Sequence, residues 1–266
     1  MPHAILQDLA VFGAGIAAGT INAVVGSGTL ITFPTLLAFG YPPVLANVSN
    51  NIGLIPGSLS GAYGYRAELA GQRNRLVKLG SASLCGGLAG AILLLVLPTG
   101  AFQAIVPVLI CVSLVMVVGP PRLAAWVARR QRDAGRGTAG EPGEPGAPAA
   151  AGGPVLWILV FCTGVYGGYF GAAQGVLLIG LLGVALGDTL QRVNGAKNVL
   201  AALVNGIAAI VFIAISHVDW GMAALIALGS VIGGQIGAKA GRKLPPWGLR
   251  LIIACVGIAA LVKLLV

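Results

Sequence analysis

The sequence predicts an all-α polytopic membrane protein made of two inverted repeats of five helical segments, each repeat opening with a broken or re-entrant helical hairpin. Three observations carry this prediction. The 266 residues are 57% hydrophobic and only 9% charged, with a mean hydropathy of +0.94, which is the composition of membrane-embedded segments. The apolar runs are continuous and of helical length, whereas a membrane barrel needs many alternating segments of about ten residues. A pattern of Gly, Asn and Pro also recurs at one spacing in the two halves.

The first hairpin is predicted over 9–39. As one straight helix it would be roughly 45 Å long, against a hydrocarbon core of about 30 Å. Asn22 and then Gly26-Ser27-Gly28-Thr29 interrupt it. The resulting arms of about fifteen and eleven residues are each shorter than a straight span. The chain is therefore expected to enter the bilayer, turn, and return to its own side. The backbone of such a tip must be buried in protein or line a cavity. After the turn Gly40-Tyr41-Pro42-Pro43, a long helix with Pro56 inside it is predicted over 44–65. A basic loop with Arg66, Arg73, Arg75 and Lys78 follows, then two spans over 79–97 and 102–118.

Residues 119–153 break the pattern. The basic stretch 122–132, with Trp126 inside it, suits an amphipathic helix on a membrane surface. The Gly, Pro and Glu run beginning at Gly140 reads as a disordered linker. The chain thus divides into a first transmembrane repeat, 1–118, a basic and Pro/Gly-rich linker, 119–153, and a second transmembrane repeat, 154–266. In the second repeat the hairpin is predicted over 155–186, broken around 171–175, with a long helix over 189–215 and spans over 222–240 and 249–266. Gly15 and Gly19 pair with Gly164 and Gly168. After a shift of two residues, Asn47 and Asn51 pair with Asn194 and Asn198, and Gly86, Gly90 and Pro98 pair with Gly233, Gly237 and Pro245.

The positive-inside rule places the basic connections in the cytoplasm: 66–78, the linker, and the group Lys239, Arg242 and Lys243. The last two share a side only if the second hairpin returns to where it started. The first hairpin then enters from outside and the second from the cytoplasm, leaving both termini outside. Inverted repeats with broken helices are a recurring transporter plan. Basic residues at segment ends account for the net charge of +9 without a nucleic-acid partner. No Lys or Arg precedes the first apolar run, so no cleaved signal peptide is expected. The cysteines Cys85, Cys111, Cys162 and Cys255 are scattered and read as small packing residues rather than disulfides or metal ligands.

Polar residues within the predicted long helices are not scattered. Asn194, Asn198 and Asn205 follow steps of four and seven, so they share one face at about 100° per residue. Asn47, Asn51 and Ser58 repeat that register, with Ser49 and Asn50 beside them. Such amides either glue helices together, at about 0.6 to 2 kcal/mol each, or line a substrate path; a matched stripe beside a broken hairpin favours the path. Lys197 lies between Asn194 and Asn198. It either snorkels to the interface or meets an anionic substrate.

The return arms, starting at Ser27-Gly28-Thr29 and Gln174-Gly175-Val176, are expected to offer free N–H groups and a positive dipole end to an oxyanion, unless the glycines serve only to turn the chain. The predicted substrate site therefore comprises Asn22, Gly26, Ser27, Gly28, Thr29, Asn47, Asn51, Ser58, Gln174, Gly175, Asn194, Lys197, Asn198 and Asn205. All seven carboxylates fall in loops or at segment ends, which argues against a cation pathway or proton relay. No metal-ligand spacing, phosphate loop or nucleophile with a base is visible, so neither a cofactor nor enzymatic chemistry is expected.

Gly15-x-x-x-Gly19 with Asn22, Gly26-x-Gly28, the polar run from Asn47 to Asn51, Gly86-Gly87-x-x-Gly90, Leu97-Pro98 and Asn194-Gly195-x-Lys197-Asn198 together resemble the sulfite exporter TauE/SafE family. The resemblance covers nearly the whole chain except the linker. It implies a permease of a bacterial-type cytoplasmic membrane that exports sulfite or a small organosulfonate, here by alternating access between the halves. The rival readings are a channel-like anion pore and a non-transporting membrane scaffold or sensor. The small-residue faces at 86–90 and 233–237 permit close packing within the chain or in a homo-oligomer.

Overall fold

The computed structural model describes residues 2–118, 153–186 and 188–240, with 254, 255 and 258 besides. The predicted linker, apart from Gly153, and nearly all of the predicted last span lie outside the described residues. The described chain is helical: α1 Pro2–Val24, α2 Thr29–Ala38, α3 Pro43–Gly64, α4 Arg73–Val96, α5 Thr99–Val118, α6 Pro154–Tyr169, α7 Gln174–Leu186, α8 Leu190–Ile215 and α9 Trp220–Ala240. Proline opens α3 and α6 at the first helical position, where its missing N–H costs nothing. At the start of α8 the Thr189 hydroxyl accepts from the Arg192 N–H at 3.4 Å.

Two elements begin earlier than the sequence suggests. Arg73, Arg75 and Lys78, expected in a loop, form the first turns of α4. Gly71, at φ 76°, ends the preceding turns, and no breaker lies between Arg73 and Leu79. The first hairpin arm, expected at about fifteen residues, has 23 and starts at Pro2. Its break is therefore marked by the turn after Val24, not by the length of the arm.

Helices from the two ends of the chain are interleaved. α1 packs on α9, α9 on α3, α3 on α8, α8 on α4, and α4 on α6. Neither end of the sequence builds a core by itself, and α3 and α8 stand at the centre of the series.

Around an apolar core, the outer surface is also largely apolar while a set of polar side chains is buried. Val77, Ile92, Val96, Val108, Val115, Ile158, Ile210, Ile213 and Leu228 are exposed, while Asn47, Asn50, Asn51, Asn194, Lys197, Asn198 and Asn205 are buried. That arrangement fits a protein whose surroundings are hydrocarbon and whose polar groups must find partners inside. Among the described residues four stretches are long and apolar enough to cross a membrane: Ile5–Val24, Arg73–Val96, Leu190–Ile215 and Trp220–Lys239. α3 has 22 residues but carries three buried asparagines in its first half, which lower its hydropathy. The cysteines, expected as small packing residues and not as disulfides, sit at the surface of the helices. All four are free and exposed on the outer surface, where a thiol is apolar enough to face lipid.

Candidate functional site

Both hairpins turn by the same backbone device. In the first, the N–H groups of Val25 and Gly26 both donate to the carbonyl of Ile21, at 2.7 and 3.0 Å. In the second, Phe170 and Gly171 both donate to Tyr166, at 2.9 and 3.1 Å. Gly26 and Gly171 then take φ of 85° and 74°. This left-handed conformation costs an L side chain about 1–2 kcal/mol. The two tips touch: the Gly175 N–H donates to the Gly26 carbonyl at 3.1 Å. A Cβ on Gly26 would lie only 2.3 Å from the Gly175 Cα. One of the N–H groups expected to be free at the second tip is thus engaged by the first.

A small cavity lies where the tips meet α3 and α8. The first hairpin contributes Asn22, Gly26 and Thr29; the second contributes Phe170, Gly171, Gln174 and Gly175; α3 contributes Asn50, Asn51 and Leu54, and α8 contributes Ala201 and Asn205. None of these side chains is charged. Asn51 Nδ2 donates to Asn205 Oδ1 at 3.3 Å, joining the two central helices beside the cavity. Asn50 Nδ2 donates to Thr29 Oγ1 at 3.3 Å, leaving the Thr29 O–H proton for another acceptor, while Thr32 and Asn50 are bonded side chain to side chain. Asn22 Nδ2 donates to Ser58 Oγ at 3.1 Å.

Gln174 is 3% exposed and its Nε2 has no hydrogen-bond partner. A buried donor left without a partner costs about 1–3 kcal/mol, so it marks a place where a ligand acceptor would be stabilised. Thr29 and Gln174 are also the first residues of α2 and α7. Two helix N-termini, each carrying partial positive charge, therefore border one neutral cavity. Donor side chains, two positive dipole ends and no carboxylate suit a small oxyanion. Among the described residues no cluster of His, Cys, Asp and Glu could hold a metal ion.

Of the residues expected at the site, Asn22, Gly26, Thr29, Asn51, Gln174, Gly175 and Asn205 line the cavity. The others stand behind it. Ser27 is wholly buried and its Oγ has no partner, while Gly28 packs against the carbonyl of Ala18. Ser58 receives the amide of Asn22. Asn194 is buried with its Oδ1 unpartnered. Asn47 Nδ2 donates to the carbonyl of Tyr169, the last residue of α6, at 3.0 Å. The Lys197 ammonium, wholly buried, donates to the carbonyls of Asn22 at 2.7 Å and Ala23 at 3.1 Å, and Asn198 Nδ2 adds a bond to Ala23 at 3.3 Å.

Sequence reasoning left out Asn50, Leu54, Phe170, Gly171 and Ala201 as site residues. Leu54 and Ala201 hold equivalent places, between Asn51 and Ser58 and between Asn198 and Asn205, so extending the two stripes by one helical step would have found them. Phe170 carried no such signal, being one aromatic among apolar neighbours; its ring packs edge-on against Phe33 with centroids 5.1 Å apart.

The family profile described as sulfite exporter TauE/SafE matches residues 11–264. The probable membrane transporter protein YfcA of Escherichia coli K12 is 26% identical over 230 residues, covering 86% of this chain and 78% of that protein. The probable membrane transporter protein ORF9 of a Sinorhizobium species is 25% identical over 268 residues, covering 98% and 95%. A probable membrane transporter protein of Haemophilus influenzae is 25% identical over 240 residues, covering 86% and 82%. No solved structure gives a significant match.

Proposed function

For a chain that belongs to the sulfite exporter TauE/SafE family, and is thus an integral membrane permease and not an enzyme, we propose that the cargo is a small oxyanion, sulfite or a small organosulfonate. It is exported across a bacterial-type cytoplasmic membrane by alternating access. The cavity between the two tips is the observation that carries this reading. It offers the Gln174 amide, the Thr29 hydroxyl and the Asn205 amide, bordered by the N-termini of α2 and α7, and it holds no carboxylate to repel an anion. Neutral donors can take the place of hydration shell on an oxyanion while binding it weakly enough to let it leave.

In this proposal the halves are inverted copies related about the cavity, with the linker cytoplasmic and both termini outside. The reciprocal packing supports it: α1 lies on α9 as α6 lies on α4. Each central helix also bonds to the tip of the other half's hairpin, Asn47 to Tyr169 and Lys197 to Asn22. Rocking of one half against the other would then shift both tips together around a fixed cavity.

The test is flux in proteoliposomes containing the purified full chain, with sulfite, sulfoacetate, sulfate and chloride compared with and without a proton or sodium gradient. Saturable movement of sulfite or sulfoacetate, reduced by Gln174→Ala, is expected. Absence of flux for every sulfur anion would remove the proposed cargo and leave the permease fold.

A further inference from the structure

Resting on the anion reading above, we propose that Lys197 is a positioning residue that readies the cavity for an anion by neutralising the carbonyl end of α1, without touching the anion. α1 ends at the first tip, where its last carbonyls lack intrahelical partners and carry partial negative charge. An anion in the cavity meets that end of α1 as well as the positive start of α2. Left bare, the two would largely cancel.

Lys197 removes the cancellation. Its ammonium binds the carbonyls of Asn22 and Ala23, and Asn22 also lines the cavity, while Lys197 does not. Among the described residues Lys197 belongs to no ion pair, whereas Arg75 and Arg192 each pair with Asp188. Its charge is therefore balanced only by carbonyl dipoles, and in a weakly polarisable interior the surplus field reaches the neutral cavity beside it. Lys197 lies on α8 while the carbonyls belong to α1, so the same contact fastens the first tip to the other half of the chain. The corresponding contact at the second tip is a single neutral bond, from Asn47 to Tyr169. The second tip is also tied by the Tyr166 hydroxyl, which accepts from the Ala173 N–H and bonds to Ser113, so the lysine contact belongs to the first tip and neutral bonds hold the second.

The test uses the full chain with Cys85, Cys111, Cys162 and Cys255 replaced by alanine and a reporter thiol introduced by Ser27→Cys, at a wholly buried position of the first tip. Labelling by a membrane-permeant maleimide is expected to be slow with Lys197 and with Lys197→Arg. It should be at least about tenfold faster with Lys197→Met, which loses every bond to the carbonyls. Lys197→Gln keeps a donor but no charge, so its tip should stay largely protected while its KM for sulfite in proteoliposomes rises about tenfold, as in Lys197→Met. Lys197→Arg should restore the KM.

Slow labelling in Lys197→Met would overturn the positioning role. An unchanged KM in Lys197→Gln, with wild-type flux intact, would overturn the electrostatic role. If the wild type moves no sulfur anion, the cargo reading fails and the labelling comparison alone decides whether Lys197 holds the tip. Should Lys197→Met not fold, the KM of Lys197→Gln against Lys197→Arg carries the decision: a raised KM in Gln and not in Arg supports the proposal, and an equal KM in the two overturns it.

Discussion

The two hairpin tips share a backbone and differ in what holds them. Each closes with two successive N–H groups on one carbonyl and a glycine of positive φ. The first is held by several side chains: Lys197 and Asn198 hold its carbonyls, Ser58 accepts from Asn22, and Asn50 donates to Thr29, while the buried Ser27 Oγ has no partner. The second has the Asn47 bond at Tyr169, the Ala173 N–H on the Tyr166 hydroxyl, and the Gly175 N–H on the Gly26 carbonyl, and it leaves the buried amide nitrogen of Gln174 unpartnered. One backbone solution thus carries two different sets of side-chain partners, and only the first tip has a lysine on its carbonyls among the described residues.

The strongest way to break this comparison is at the contact between the tips. Gly26→Ala brings a Cβ within 2.3 Å of the Gly175 Cα and also demands φ of 85°. Gly175→Ala makes the same approach, 2.3 Å from the Gly26 Cα, without that demand. Overpacking costs about 1–3 kcal/mol and the left-handed residue adds about 1–2 kcal/mol. Both variants should lose flux, with Gly26→Ala the less stable in thermal unfolding; the opposite order would mean the tips do not meet as described.

Gln174→Glu tests whether the second tip faces an anion. A carboxylate there should repel a bound anion by up to about 4 kcal/mol and abolish saturable sulfite uptake, while Gln174→Ala should weaken binding by about 1 kcal/mol, roughly fivefold. Uptake that survives Glu would show that the cargo passes elsewhere. A smaller effect is expected where α3 meets α8. A double-mutant cycle on Asn51→Ala and Asn205→Ala should return a coupling of about 0.6–2 kcal/mol in unfolding free energy; zero coupling would deny the 3.3 Å bond between them.

The smallest effect belongs at the base of the second hairpin. Asp188 follows α7 and pairs with Arg75 and with Arg192, their side chains 22–34% exposed. Such partly solvated pairs contribute little, so Asp188→Asn should lower stability by no more than about 1 kcal/mol and leave the KM for sulfite unchanged.

Much of the architecture was legible because it depends on local chemistry. Glycine clusters interrupt apolar runs at 26–28 and 171–175, and both runs bend there. Asparagines at helical spacing share a face, and seven of the fourteen residues expected at the site line the cavity. For the first arms, the register in which the glycines match in sequence, Gly19 with Gly168, is not the one the helix contacts favour. Gly19 packs on the carbonyl of Ser230 as Gly164 packs on that of Ser83, which sets Gly19 opposite Gly164, where sequence matching had set Gly168. Helical turns rich in glycine align nearly as well when slid by four residues, and only the neighbouring helix distinguishes the two.

The sequence by itself determined that the chain is helical and membrane-embedded, where its hairpins break, and which faces of α3 and α8 are polar. Those properties follow from residue type and spacing within about one turn of helix. Tertiary structure alone decided that the tips touch, that Lys197 bonds to the last carbonyls of α1, and that Phe170, Leu54 and Ala201 complete the cavity. Each of these joins residues that lie far apart in the chain, and the side chain of a buried lysine carries no mark of which acceptor it will meet until interleaved helices bring one within reach.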